Sequence, residues 1–250
     1  MKQLNFASVQ KGSVLIVVLI MLVLLTVAGT WAIRSSMTNL NVATNSQAQS
    51  LLMQTSDSVF FALENATDNA LRFANMRIGD GMLAYVMRAE NKNKELVMCI
   101  RGAQNDHFSG SRFGSVVYWS GNTIKNSDLG TRGFCKMDRG SDFISARDAV
   151  LTQISIRAAD NTEDWEQMYE GQDKDSAKKQ DVQKVVITAT SIIPNLSSAS
   201  KAEINGCLRN FTSFYDEVAD QDTVTDCLAA HNVPYSTQDM EYTLRDVDAS

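Results

Sequence analysis

The sequence predicts an α+β protein in which one long N-terminal helix precedes an antiparallel β-sheet head. Three observations predict this class: an apolar run at residues 14–33, a stretch without glycine or proline at residues 30–77, and a later series of short β-branched segments separated by turn residues. Strands that follow one long helix, with no regular alternation of helix and strand, are typical of α+β architecture.

The apolar run is long enough to cross a membrane as a helix. Residues 13–33 would span about 30 Å, close to the hydrocarbon thickness of a bilayer. A secretory signal peptide has a shorter apolar core with a small-residue cleavage site behind it, and no convincing site of that kind follows this run. An uncleaved signal anchor is the stronger alternative. Lys2 and Lys11 precede the run, which predicts a cytoplasmic N-terminus and a head outside the cytoplasm.

The junction before the run carries a family resemblance. Residues 10–19, Gln-Lys-Gly-Ser-Val-Leu-Ile-Val-Val-Leu, resemble the class III signal of type IV pilins. In that family a prepilin peptidase cuts on the cytoplasmic side, after a glycine preceded by a basic residue. The resemblance therefore implies processing at Lys11, Gly12 and Ser13, with a mature chain that starts at Ser13 and keeps its helix. Through residues 32–36 and 48–52 the pattern is similar to the N-terminal region of the PilX minor pilins.

Val17 departs from the usual pilin pattern. It occupies the fifth mature position, where typical pilins have glutamate and the PilX group does not. The resemblance implies that, in pilin filaments, this glutamate pairs with the N-terminal amine of a neighbouring subunit. A buried carboxylate costs several kcal/mol unless it is paired. A subunit at the tip has no neighbour above it, so valine at this position favours a tip or initiating role.

The resemblance implies a function without catalysis and a set of partners. The expected protein is a minor pilin at or near the pilus tip, which primes assembly with other minor pilins and displays a PilY-type tip adhesin. Further expected partners are the major pilin, the prepilin peptidase and the inner-membrane assembly platform. The protein would lie in the bacterial inner membrane before assembly and at the pilus tip afterwards.

The expected domain organisation has four parts. These are a leader peptide (1–12), a transmembrane or filament-core helix (13–33), its amphipathic continuation (34–78) and an extracytoplasmic globular head (79–250). In the continuation, apolar residues recur mostly at steps of three, four or seven, as on one face of a helix. Met53, Phe60, Phe61, Phe73 and Met76 are expected in the core, and residues 79–81, Gly-Asp-Gly, are expected to end the helix.

The head contains four segments with strand character. They are residues 96–100, 116–119, 154–157 and 185–193, and Pro194 ends the last. Their β-branched and aromatic composition, with turn residues between several of them, predicts an antiparallel sheet. We expect one face of this sheet to pack against residues 51–73 of the long helix. A short helical link is expected at residues 141–149.

Four cysteines predict two disulfides in an extracytoplasmic head. Three pairings are possible, and Cys99 with Cys135 and Cys207 with Cys227 are favoured because each pair closes a fairly local loop. Zinc binding is disfavoured because there is no CxxC spacing and the two histidines lie elsewhere.

Acidic segments account for most of the net charge of −6. Residues 161–181 are expected to form a polar loop or short helix, and residues 211–250 form an acidic C-terminal region with nine acidic side chains and one basic one. This balance excludes nucleic acid as an expected partner. Asp173 and Asp175 offer a weak Ca²⁺ possibility, although neither segment has the EF-hand pattern.

Recognised catalytic motifs are absent from the sequence. There is no GxSxG, P-loop, HExxH or dinucleotide fingerprint, and His107 and His231 are isolated in the sequence. We therefore expect no enzyme activity and no cofactor.

Two other functions stay open from the sequence. A large pseudopilin of a type II secretion system shares the missing glutamate but usually carries an extra helical domain, for which the space between Val117 and Ile187 is small. A bitopic membrane-anchored binding or sensor domain would have the same apolar helix but would not be processed at Gly12.

Overall fold

The computed structural model describes residues 13–67, 70–102, 113–144, 147–159, 183–215 and 221–244. The helices are α1 (Ser13–Thr67), α2 (Ala70–Arg77), α3 (Met82–Val86), α4 (Lys201–Asn210) and α5 (Val224–Ala230). The strands are β1 (Glu95–Ile100), β2 (Ser115–Ser120), β3 (Thr123–Lys125), β4 (Leu151–Ala158), β5 (Gln183–Ile192) and β6 (Tyr235–Leu244). This confirms the α+β class, with a long N-terminal helix before an antiparallel sheet.

The chain divides into two compact units, one ending at Gln47 and one beginning at Ala48. The first unit contains the apolar part of α1. The second contains the rest of α1 and the entire sheet. The glycine-rich stop lies where the sequence predicts it: after α2, Gly79 has a φ of +57°, a conformation that strains residues with a Cβ. A Cβ on Gly81 would lie 2.2 Å from the carbonyl oxygen of Met76, so the turn also requires glycine there.

The six strands form one antiparallel sheet in the order β3-β2-β1-β4-β5-β6. The four predicted strand segments are confirmed as β1, β2, β4 and β5. β3 and β6 were not predicted. The expected helical link at residues 141–149 is wrong: its described part contains a 3₁₀ turn (Gly140–Asp142) and an isolated bridge from Phe143 to Leu151.

One face of the sheet packs against α1, α2 and α3. The core on this side takes alternate residues of the inner strands, which is the period expected of a pleated sheet. Its members include Val59, Phe60, Leu63, Met76, Met82, Leu96, Met98, Ile154, Ile156, Val185 and Ile187. The predicted packing of the sheet against the second half of the helix is therefore confirmed.

The buried stripe of α1 differs in detail from the predicted one. The side chains of Ala48, Leu52, Ser56, Val59, Phe60 and Leu63 are buried. Met53 and Phe61, both expected in the core, are 58% and 68% exposed. Successive residues of a helix are rotated by about 100°, so these side chains, next to the buried Leu52 and Phe60, turn away from the buried face.

The other face of the sheet is covered by α4 and α5, which the sequence interpretation missed. Ile204 and Leu208 of α4 and Val224 and Leu228 of α5 are buried in this second core, together with Ile192 of β5. Each helix begins at a capping box, Ser200 with Glu203 and Thr223 with Asp226. Those S-x-x-E and T-x-x-D patterns are the sequence signals that could have revealed both helices.

Candidate functional site: apolar helix and disulfide-linked head

The apolar half of α1 presents hydrophobic side chains in every direction. Each large apolar side chain from Val14 to Ile33 is at least 50% exposed. Among the described residues, one helix is long and apolar enough to cross a membrane, and none of its most apolar 18-residue window is buried. A core helix of a soluble protein would be mostly buried, so by length, composition and exposure this helix has the character of a membrane span or of a signal sequence.

Of the three predicted processing residues, Ser13 alone lies in the described part of the chain. Ser13 is the first residue of α1, whereas Lys11 and Gly12 lie outside the described residues. Val17 is on the second turn of α1 and is 57% exposed. Asp173, Asp175 and His107 also lie outside the described residues.

The head contains the two disulfides favoured from the sequence. Cys99 of β1 is bonded to Cys135, with their Cα atoms 4.8 Å apart, and Cys207 of α4 is bonded to Cys227 of α5, with Cα atoms 5.5 Å apart. All four half-cystines belong to or pack against the core under α4 and α5. One bridge therefore joins α4 to α5, and the other joins β1 to the segment after β3.

His231 is not isolated in space. Its Nδ1 lies 4.0 Å from Oε1 of Glu203, and one of its ligating atoms lies within 4.8 Å of the sulfurs of Cys207 and Cys227. No other group of three metal-ligating side chains occurs in the described part of the chain. Because both sulfurs are joined in a disulfide, they are not thiolate ligands.

A buried carboxylate joins the sheet to the segment before α5. Glu95 of β1 is 1% exposed and accepts a hydrogen bond from the backbone N–H of Ser213 at 2.8 Å. The Ser213 hydroxyl also donates to Glu95 and lies 2.5 Å from the hydroxyl of Ser155 on β4. Burial raises the pKa of Glu95, while the hydrogen bonds from Ser213 and Ser155 and the charge of Arg157 act in the opposite direction.

A second buried carboxylate holds the loop that carries Cys135. Asp142 is fully buried and accepts from Nε of Arg101 at 2.7 Å and from the backbone N–H of Lys136 at 3.0 Å. Gln153 of β4 extends this network, since it accepts from the N–H of Cys135 at 3.0 Å and donates to the carbonyl of Leu208 at 2.8 Å. The side chains of Asp142 and Gln153 are therefore paired, as burial requires.

A hydroxyl network fixes the second half of α1 to the sheet. The hydroxyl of Ser56 lies 2.8 Å from that of Ser191, which lies 2.8 Å from that of Thr152. Ser56, Ser191 and Thr152 are each 0% exposed. Buried hydroxyls must be paired, so this network defines the rotation of α1 about its axis at the sheet.

An open groove of about 580 Å³ separates α1 from the last strand. Its lining combines exposed apolar side chains with carboxylates and consists of Asp57, Phe60, Phe61, Glu64, Gln238, Asp239 and Met240. It lies at the β6 edge of the sheet and had no counterpart among the predicted sites.

Comparison with known proteins gives no relative: no family model, no curated protein and no solved structure matches this chain.

Proposed function

We propose that this protein is a minor pilin of a type IV pilus, located at or near the tip, where it primes assembly with other minor pilins and supports display of a tip adhesin. The observation that carries the proposal is the exposed apolar helix α1, described from Ser13 onward, together with the sequence Lys11-Gly12-Ser13 at its N-terminal side. A leader cut before the helix leaves that helix in the mature chain, which filament assembly requires.

The exposed apolar surface supports assembly through packing. Residues 13–33 are covered by lipid before assembly, and in a filament the helices of neighbouring subunits would replace lipid. Because lipid tails are about as apolar as leucine, this exchange has little hydrophobic cost or gain. Helix packing and the contacts of the heads then decide where the subunit sits.

Val17 supports the tip position. With valine at the fifth mature position, the first turns of α1 carry no side-chain charge that needs a partner from an adjacent subunit. A repeating subunit can satisfy a carboxylate there with its neighbour's amine, but the first subunit cannot. The apolar residue avoids an unpaired buried charge in that position.

The head has the construction expected outside the cytoplasm. Both disulfides close within it, and cysteine pairs of this kind persist in oxidising compartments. Together with the buried hydroxyl network on α1, they cross-link the head that would contact neighbouring heads.

A large pseudopilin is the second candidate, because it also lacks the glutamate. In the described residues between Val117 and Ile187, strands β3 and β4 belong to the common sheet and no α-helix occurs, which favours the minor pilin over that class. The bitopic anchored domain is the third candidate and differs in having no assembly role.

Deletion of the gene in cells that cannot retract pili tests the proposal. We expect fewer surface filaments, restored by the wild-type gene, with a few copies of the protein per sheared filament regardless of filament length. Normal piliation with lost protein secretion would favour the pseudopilin. Normal piliation and normal secretion would favour the anchored domain.

A further inference from the structure

The outer edge of β6 is unpaired within the described part of the chain. β6 is the last strand of the sheet, runs for ten residues and pairs with β5 along its whole length. A free strand edge presents backbone donors and acceptors that can pair with another strand. Natural sheets commonly shorten, twist or cover such an edge.

Two hydrogen bonds identify which residues of β6 face outward. The N–H of Ile193 donates to the carbonyl of Pro234 at 3.0 Å, so this pair is of the hydrogen-bonded type. Independently, the N–H of Ala159 donates to the carbonyl of Lys184 at 2.9 Å, which directs the backbone of Lys184 toward β4 and that of Val185 toward β6. Hydrogen-bonded and non-hydrogen-bonded pairs alternate along an antiparallel ladder.

The register then assigns every position on the strand. Ser236, Gln238, Met240 and Tyr242 stand opposite odd-numbered β5 residues and direct their N–H and C=O groups to β5. The outward positions are the alternate ones, and all of them are exposed: Tyr235, Thr237, Asp239, Glu241 and Thr243.

The groove beside this edge supplies apolar contact on one face of an added strand. Phe61 is 68% exposed and Met240 is 36% exposed, and both line the groove between α1 and β6. A strand paired to β6 would place every second side chain toward this groove. Apolar residues at those positions would cover both side chains.

Charge determines the other face of the added strand. The carboxylate of Asp239 accepts a hydrogen bond from the hydroxyl of Thr188 at 2.5 Å, on the sheet face opposite α1, and the side chain of Glu241 is on the same face. Lys184 lies 3.2 Å from Glu241, so the two carboxylates and this one ammonium group together carry a net negative charge. The surroundings are therefore acidic, and basic side chains on the added strand are favoured.

We propose that β6 is a docking site for an extended segment of a partner protein that alternates apolar and basic residues and adds a seventh strand to the sheet. A second copy of this chain is a poor occupant, because antiparallel pairing of β6 with itself brings Asp239 and Glu241 of both copies together. The proposal does not depend on a pilus function.

Binding of a synthetic peptide to the full chain in detergent micelles tests the proposal. The probe is Ac-TVKVTVKVT-NH2, which places valines on one face and lysines on the other, and the matched control is Ac-TVEVTVEVT-NH2. We expect the lysine peptide alone to bind, and to slow hydrogen exchange at the amides of Thr237, Asp239, Glu241 and Thr243.

Substitutions at the edge separate docking from folding. Thr237→Pro removes an outward N–H and leaves the hydrogen bonds between β6 and β5 in place, a substitution that edge strands tolerate. We expect it to weaken peptide binding about tenfold or more with little change in melting temperature. Thr237→Val keeps the N–H and should bind normally. Glu241→Lys keeps every backbone group and should also weaken binding of the lysine peptide. This variant therefore tests the proposal even if the proline variant fails to fold.

Four results would overturn the proposal. They are failure of the lysine peptide to bind, equal binding of the glutamate peptide, protection of amides elsewhere in the head, and self-association of the protein through β6.

Discussion

Ser213 donates two hydrogen bonds to the buried carboxylate of Glu95, one from its backbone N–H at 2.8 Å and one from its hydroxyl. This contact joins β1 to a segment 118 residues later in the chain. Neither residue is apolar, so no hydrophobic pattern in the sequence predicts this contact. It closes the layer formed by α4 and α5 against the sheet.

Glu95 predicts a pH-dependent stability of the head. Burial raises its pKa in the folded protein above the ordinary glutamate value. The folded state therefore holds this proton more tightly than the unfolded state. Its contribution is fully present below the unfolded pKa of about 4.3 and is lost as pH rises through the folded pKa.

The Glu95→Gln variant isolates this contribution. The glutamine can accept from the N–H of Ser213 and donate to its hydroxyl, but it cannot ionise. We expect the free energy of unfolding of Glu95→Gln, minus that of the wild type, to increase as pH rises from about 4 to about 8. Asp226 and Glu203, whose pKa values are lowered by their capping serine or threonine, act oppositely but cancel in the difference. A constant difference across this range would contradict the assignment.

Leu52 and Leu51 form a matched pair for testing the helix orientation. Leu52 is 1% exposed and packs with Ala48, Val150 and Ile193, whereas its neighbour Leu51 is 41% exposed. We expect Leu52→Ala to lower the free energy of unfolding by about 2–5 kcal/mol and Leu51→Ala by about 0.5 kcal/mol or less. Chemical denaturation of both variants makes the comparison. Equal costs would mean that α1 is rotated relative to the sheet.

The disulfides are expected to stabilise the head by similar amounts. The loops closed by Cys99–Cys135 and Cys207–Cys227 span 36 and 20 residues, for which the loop-entropy relation gives about 4 and about 3 kcal/mol. Replacing each pair by serines and measuring the free energy of unfolding tests this. Nonreducing mass spectrometry of the wild type is the control, and four free thiols would contradict an oxidising compartment.

Val17→Glu tests the proposed tip position. If the subunit has no neighbour that supplies an amine, the new carboxylate stays unpaired and costs several kcal/mol in an apolar setting. We expect the number of surface filaments to fall toward that of the deletion strain, whereas Val17→Leu should preserve it. Filament counts by electron microscopy provide the measurement. Full piliation with Val17→Glu would contradict the tip position inferred from Val17.

The elements predicted well are those whose burial is strong and regular. Residues 185–193 form an apolar, β-branched run and become the inner strand β5, and the helix stop at Gly79 follows from the unusual backbone that glycine permits. The disulfide pairs were favoured because short loops cost less to close, and the structure contains those pairs.

The elements missed have weak hydrophobic signals. β6 reads Tyr-Ser-Thr-Gln-Asp-Met-Glu-Tyr-Thr-Leu, a mostly polar sequence that pairs with β5 along its whole length, while Tyr242 packs partly buried against the core. α4 and α5 are short, and their capping boxes are the main sequence signal that predicts them. Phe61 looks like a core residue by type alone, but the pairing of Ser56 with Ser191 fixes the helix rotation that exposes it.

Processing at Gly12 is decided by the intact mass and N-terminal sequence of the protein from cells with and without an active prepilin peptidase. We expect a mature chain that starts at Ser13 when the peptidase is active and a longer chain when it is absent. A chain that begins at Met1 in both strains would contradict processing at Gly12 and would leave an ordinary membrane anchor.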